Sequence, residues 1–322
     1  MSAIARLDAS MARRVGEMLV TKDEPDFERT PELALLNLKS LTAGELLAQY
    51  ASKQASYQTA PFDVTGEQLR FYPGGISIWS GFPGSGKTTL LRQLACHLLH
   101  RGEGVFFASL EEHPSDLLIG IAAVAAGVPL GFVPDEKSLQ IALDAYSDRL
   151  RIWGVIGIAQ HRKILGVIRK LGEQGIKHAI IDSLMCLDIR NDDIEIQRQF
   201  AVLVAATAKA SGVHIHLVAH PKKPMQNGQE PDINDVAGAK EIGGIADNIL
   251  FVRRGTSDSI GGAGPMKVSV KKQRGFRGEW PTYEGYFHHK FRQFGSHPYM
   301  DVPTKYLPDE AYAQYQSPSV PF

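Results

Sequence analysis

Residues 81–88 read Gly-Phe-Pro-Gly-Ser-Gly-Lys-Thr, the pattern G-x-x-x-x-G-K-[ST] without a departure. Glycines at 81, 84 and 86 let a backbone wrap closely, so that successive N–H groups point inward at a β-phosphate. A helix starting at Lys87 would add its positive N-terminal end to the same cradle. On this reading Gly81, Gly84, Ser85, Gly86, Lys87, Thr88 and Thr89 hold the phosphates of ATP. Lys87 would bridge the β- and γ-phosphates, and the Thr88 hydroxyl would ligate Mg²⁺. A glycine-rich turn that fits by coincidence is the competing reading. Context opposes it: an apolar strand runs into the loop and an amphipathic helix leaves it.

Two further acids fit the same chemistry. His178-Ala-Ile-Ile-Asp182 ends an apolar run on a carboxylate, which suits Asp182 as a second Mg²⁺ ligand. Hydrolysis also needs a group that orients and deprotonates water. Val105-Phe-Phe-Ala-Ser-Leu-Glu111-Glu112 offers two acids at the tip of another apolar run. Glu111 is the candidate base and Glu112 a solvated neighbour, although an acidic surface pair after a strand would look the same.

The elements that must position these groups are legible in the apolar pattern. Strands are expected at Ile76–Ser80, Val105–Leu110, Leu150–Val155, His178–Asp182, His214–Ala219, Asn248–Val252 and Lys267–Val270. The central ones are nearly continuous in apolar character, as strands covered on both faces are. Helices are expected at Thr88–Arg101, His161–Gln174 and Ile194–Ser211. Strands alternating with helices imply an α/β fold with a mostly parallel central sheet. A helical N-terminal arm and linker is expected over 1–60, with Thr42 and Glu45 forming a capping box. The ATPase domain is expected over 61–295, and a flexible C-terminal tail over 296–322.

Composition sets bounds. Of 322 residues, 43% are hydrophobic and 22% charged, ordinary values for a soluble globular chain able to bury a core. The longest apolar run, Leu117–Val133, is broken by Gly127, Pro129 and Gly131 and reads as a buried helix and turn, not a membrane span. No signal peptide is visible, so a cytoplasmic location is expected. Cys96 and Cys186 sit inside apolar runs without zinc-like spacing and read as reduced core cysteines. A formal net charge of zero excludes a generally basic coat, so any nucleic-acid contact needs a local patch.

Taken in order, these motifs resemble the replicative ring helicases of superfamily four: the DnaB class, Twinkle, and the helicase half of phage primase-helicases, all with RecA-like cores. The likeness runs from about Leu41 to Phe294. In that family a glutamate follows the second strand in a Ser-Leu-Glu-like element, which supports Glu111 as base. His214-Ile-His-Leu-Val-Ala-His220-Pro-Lys222-Lys223 looks like the family element whose last histidine or glutamine senses the γ-phosphate, a role that falls on His220. Metal binding by His214 and His216, which share one strand face, is the alternative, but an interior strand offers no third ligand in sequence. In relatives the stretch Asp235–Arg254 holds a central-channel loop and the strand behind it. The resemblance makes Lys222, Lys223, Gly238 and Lys240 candidates for DNA contact, with solvated surface lysines as the ordinary alternative. It places Arg254 near the nucleotide base, although a surface ion pair would also suit it. Lys267-Val-Ser-Val-Lys-Lys272-Gln-Arg274-Gly is similar to the Lys-x-Arg element with which a neighbouring subunit reaches into the ATP site. An edge strand protected by charge is the plainer explanation of those cations.

The implied activity is an ATP-driven motor, a homo-hexamer that draws single-stranded or forked DNA through its centre in the 5′ to 3′ sense. A separate primase or loader is the implied partner, and a phage or plasmid the implied source. No zinc-binding cysteine set is read in this sequence, and neither a primase region nor the helical N-terminal domain of the DnaB class is expected in it, a departure from the family's pattern. Two rivals remain at this level: a RecA- or RadA-like recombinase, and a DNA-binding regulatory ATPase.

Overall fold

A computed structural model describes residues 42–44, 47–48, 51–52, 56–63, 68–127, 136–189, 193–221, 232–236, 239–255, 263–275, 279–299 and 303–314. Of the expected Thr42–Glu45 capping box, Glu45 lies outside that set.

Among the described residues the first strands form a short antiparallel pair, β1 (Gln58–Thr59) and β2 (Arg70–Phe71). The main elements follow in sequence: β3 (Ile76–Ser80), α1 (Lys87–His100), β4 (Gly104–Ser109), α2 (Pro114–Ala126), α3 (Glu136–Tyr146), β5 (Leu150–Ile152), α4 (His161–Glu173), β6 (Ile176–Asp182), α5 (Ile194–Ser211), β7 (His214–Ala219), α6 (Ala239–Ile245), β8 (Asn248–Arg254), β9 (Ala263–Gln273), β10 (Thr282–His288), β11 (Gln293–Gly295) and α7 (Asp309–Gln314). Among the described residues one sheet of nine strands runs in the order β11-β10-β9-β8-β3-β7-β6-β4-β5. Strands β8, β3, β7, β6, β4 and β5 are parallel, and β9 to β11 close one side in antiparallel.

Alternation along each strand feeds two cores. Trp79, Phe107, Ile180, Val218 and Leu250 pack against α1, α2 and α3. Ile78, Phe106, Ile181, Leu217 and Ile249 face α4 and α5 on the other side. The helices obey the same logic: α4 buries Ile164, Leu165, Ile168 and Leu171 at helical spacing. Asp193 caps α5 by accepting from Ile196 N at 3.0 Å, and Gly212 ends it in the left-handed conformation. The run beginning at Leu117 is indeed a buried helix, and no helix among the described residues is long and apolar enough to cross a membrane.

Several expectations are corrected. β5 stops at Ile152, because Val155, Ile156 and Ile158 are exposed in the loop that follows. β9 extends well beyond Lys267–Val270 in both directions, and β10 and β11 had no counterpart in the apolar pattern. The packed body already includes β1 and the buried Ala60, before residue 61. The flexible tail expected from residue 296 is not what residues 303–307 form. Tyr306 and Leu307 are buried, and the Tyr306 carbonyl accepts from Tyr146 Oη at 3.1 Å. Residues 315–322 lie outside the described set.

Candidate active site

In a parallel sheet the strand ends of one sense share one edge, and β3, β7, β6 and β4 are neighbours there. The sequence continues each of them with a group of interest. β3 runs into the loop 81–86, β7 is followed by His220, β6 ends on Asp182, and β4 is followed by Glu111. This edge is where α/β folds bind ligands.

The loop is shaped by its glycines. Gly81 approaches β8 so closely that a Cβ there would lie 2.3 Å from the Val252 carbonyl oxygen. Gly84 and Gly86 have φ of 74° and 92°, the left-handed region that glycine adopts without strain. Lys87 opens α1, and its Nζ donates to the carbonyls of Gly81 at 2.7 Å and Phe82 at 2.9 Å. Burial pulls the Lys87 pKa down, while Asp182 and Glu111 push it back up. Ser85 Oγ is buried and makes no hydrogen bond among the described residues. An unsatisfied buried hydroxyl in a glycine-rich loop suits a phosphate oxygen.

Thr88 Oγ1 donates to Asp182 Oδ2 at 2.6 Å, so the two expected Mg²⁺ ligands meet. Burial, reinforced by the nearby charges of Glu111 and Glu112, raises the Asp182 pKa to about 6 against the opposing pull of Thr88 and Lys87. A hydroxyl and a carboxylate whose buried charge is poorly compensated form a hard-oxygen donor pair that fits Mg²⁺. When bound, that ion would neutralise charge on the phosphates.

Glu111 is brought to this pair by the backbone. Leu110 N donates to the Asp182 carbonyl at 2.8 Å, tying the tip of β4 to the tip of β6. The Ser183 hydroxyl donates to Glu111 Oε1, and His220 Nε2 stands 3.9 Å from the same oxygen. Glu111 is half exposed, open to water yet oriented. Burial and the charge of Lys87 lower the His220 pKa, favouring a neutral imidazole able to accept or donate.

Three site expectations change. Glu112 is not solvated: it pairs with Arg92 of α1, and its Oε1 is buried. Arg92 lies one helical turn after Thr88, a spacing that could have pointed to it. Cys96 is a core cysteine, but Cys186 is partly exposed, with Sγ 4.0 Å from Glu111 Oε1. The third imidazole that the sequence did not offer comes from β6. His178 Nδ1 accepts from His216 Nε2 at 3.2 Å. Trp79 Nε1 donates to His216 Nδ1, and His214 spans Ser77 Oγ and the Tyr72 carbonyl. With these nitrogens engaged, no metal-holding group of three ligands exists among the described residues.

Arg254 is exposed at the end of β8, two residues beyond the carbonyl that abuts Gly81, and its charge is felt by His289. Lys272 and Arg274 are elsewhere. β9 is antiparallel to β8, with Met266 beside Gly86 and Gln273 opposite Asn248 at the far edge. Lys272 lies six steps along the strand from Met266, about 20 Å at the usual rise. An extra residue at Lys271 bulges the strand just before them. The sequence thus brings Lys87, Thr88, Asp182, Glu111 and His220 together and sets Lys272 and Arg274 apart. Lys222, Lys223 and Gly238 lie outside the described residues. Lys240 falls in α6, and its side chain is outside them too.

The family of AAA domains matches residues 68–226, the span that holds every member of this cluster. The chain is a P-loop ATPase. A Twinkle homolog protein, chloroplastic/mitochondrial, from Arabidopsis thaliana is 22% identical to the ATPase over 223 residues. That match covers 63% of this chain and 31% of the relative, so the chain spans about a third of the relative's length. Among solved structures, one ATPase domain superposes with a TM-score of 0.65 at 17% identity, covering 79% of this chain and 97% of that one. A DnaB-like replicative helicase, solved with attention to its interactions with primase, gives 0.63 at 16% identity, covering 90% and 76%. The ATPase therefore has the RecA-like fold of these proteins, and the resemblance to superfamily four is borne out.

Proposed function

We propose that this ATPase is the motor of a ring-forming replicative DNA helicase, in which adjoining protomers complete each nucleotide site. The observation that carries this reading is the separation of charges. Lys87, Asp182, Glu111 and His220 sit at one sheet edge, and the Lys272–Arg274 pair lies at the opposite edge of the same chain, about 20 Å along β9. A cation pair so placed serves a neighbour's site and not its own. Head-to-tail repetition of that contact closes into a ring.

The division of labour follows from the atoms. Loop 81–86 and Lys87 hold the phosphates, and Thr88 with Asp182 hold Mg²⁺. Glu111, oriented by Ser183, takes the proton of the attacking water, and His220 beside it registers the γ-phosphate. Arg274 from the adjoining protomer spreads the charge developing on the transferred phosphoryl group, an effect worth on the order of 10³ in rate or more. His220 leads directly into Pro221 and the segment holding Lys222, Lys223, Gly238 and Lys240, through which turnover draws single-stranded DNA in the 5′ to 3′ sense. A primase or loader supplied separately, a hexameric ring, and a place in cytoplasmic phage or plasmid replication complete the proposal.

A forked duplex with a free 5′ arm tests it. The protein with ATP and Mg²⁺ is expected to release the labelled strand, and Lys87→Ala to release none. Closed rings are expected on single-stranded DNA by electron microscopy. Filaments, or turnover indifferent to DNA, would favour a recombinase or a regulatory ATPase instead.

A further inference from the structure

We propose that Asp247 is the positioning residue of the trans-acting Arg274, an inference that rests on the shared-site reading above. Asp247 stands between α6 and β8 and is fixed on every side. Its N–H donates to the Ile76 carbonyl at 2.8 Å, and its Oδ2 accepts from Ile76 N at 2.9 Å. Its own carbonyl accepts from Arg274 N at 2.7 Å, and its Oδ1 lies 3.5 Å from Arg274 Nη1. The other guanidinium nitrogen donates to the Gly244 carbonyl at 3.1 Å, near the end of α6. Lys272 Nζ reaches the same place, with Gly243 O at 2.7 Å and Gly244 O at 3.2 Å.

The physical need is clear from exposure. Arg274 follows the end of β9 with its side chain about half exposed. Unrestrained, so long a side chain would sample many rotamers, and a finger must be in one place when charge develops. Asp247 supplies both a backbone clamp and a carboxylate, and its negative charge offsets the repulsion between Lys272 and Arg274. The carbonyls at the end of α6 add the negative end of a helix. The clamp is rooted in Ile76, the first residue of β3. That same strand ends, five residues on, at the phosphate loop. One strand therefore carries a protomer's own phosphate loop at one end and aims its finger into the next protomer at the other.

Steady-state turnover by full-length variants, alone and mixed, decides the matter. Asp247→Asn keeps an oxygen for Ile76 N and removes the charge facing Arg274. It is expected to bind a fluorescent ATP analogue normally, keep KM within about twofold, and lose about tenfold in kcat. Asp247→Glu, which keeps the charge, is expected to recover much of that loss. Excess Lys87→Ala protein, inert itself but with an intact finger, is expected to restore turnover at the Asp247→Asn phosphate loops. A control pair separates the two ideas, since Arg274→Ala mixed with Lys87→Ala must regain activity if sites are shared. If that control stays inactive, the shared-site reading falls and this proposal with it. If the control recovers while Asp247→Asn turns over normally, is not rescued by mixing, or loses nucleotide binding, Asp247 serves the fold alone and the proposal is overturned.

Discussion

Asp182 shows how a single carboxylate can be kept for chemistry at the expense of stability. Burial comes first among the causes that raise its pKa from 3.8 to about 6. The sign follows from linkage: between roughly pH 4 and 6 the unfolded chain ionises this group while the folded protein keeps its proton. Stability therefore falls as pH rises through that window and stays reduced above it, by about 3 kcal/mol. Asp182→Asn keeps an oxygen to accept from Thr88 and removes the charge. At pH 8 without Mg²⁺ this variant is expected to melt roughly 5–10 °C higher than the parent and to hydrolyse no ATP. The gain should shrink to nothing near pH 4. A variant that melts lower than the parent at pH 8 would mean that burial does not strain this group. Glu111, tied to the same strand tips, is by contrast half exposed. Open access to water suits a base, and dryness suits a metal ligand.

At the scale of elements, β11 and the segment after it behave as a strap. Gln93 on α1 donates to Phe294 O at 3.0 Å and to Tyr306 Oη at 2.9 Å, while its Oε1 accepts from Phe294 N at 2.7 Å. Gln293 bonds both the Val124 carbonyl and Thr304, and His100 Nδ1 donates to Tyr306 O at 3.0 Å. Tyr306→Ala removes a buried ring and is expected to cost about 3–4 kcal/mol in urea unfolding, with KM for ATP unchanged. A cost under about 0.5 kcal/mol would reduce the strap to a surface ornament. Nothing periodic announces this segment, because its contacts come from single residues spaced irregularly along Pro- and Tyr-rich chain. The parallel core was legible for the opposite reason: Ile76–Ser80 and His214–Ala219 are runs of residues buried on both faces. β10 escaped notice because it is half exposed, and its middle residue is Gly285, packed against the Gly295 carbonyl. In the site, Lys87, Thr88 and Asp182 were readable because phosphate chemistry constrains type and spacing together. Ser183, Arg92 and Asp247 act through partners dozens to scores of residues away or on another element, and no local pattern encodes such pairs.

For the whole molecule the decisive charge effect is that of the buried histidines. His178, His214 and His216 lie on adjacent strands with ring centroids 4.6–5.9 Å apart. Burial lowers all three pKa values, that of His214 to about 4, with mutual repulsion adding for His178 and His216 and with the Tyr72 carbonyl and then Asp247 opposing for His214. Each ring stays neutral in the folded protein while its unfolded counterpart takes a proton below about pH 6.5. The stability they contribute is thus complete above that pH and is lost as pH falls towards 4. Each group contributes a slope of about 1.4 kcal/mol per pH unit, so the three together give about 4 kcal/mol per unit. Asp182 works in the opposite sense over pH 4–6 with a single slope, and His97, also lowered to about 4 by burial, roughly cancels it. Against a typical total of about 5–15 kcal/mol, the histidines win, and the protein is expected to unfold in mild acid near pH 5. Urea midpoints measured from pH 7.5 down to 5 should fall steeply in the parent. The double variant His178→Gln, His216→Gln retains donors and acceptors for Trp79 and for the facing side chain but cannot titrate, so its slope should drop by about two thirds. An unchanged slope would place the acid sensitivity elsewhere, and the cluster would then be a hydrogen-bonded core feature without a role in pH response.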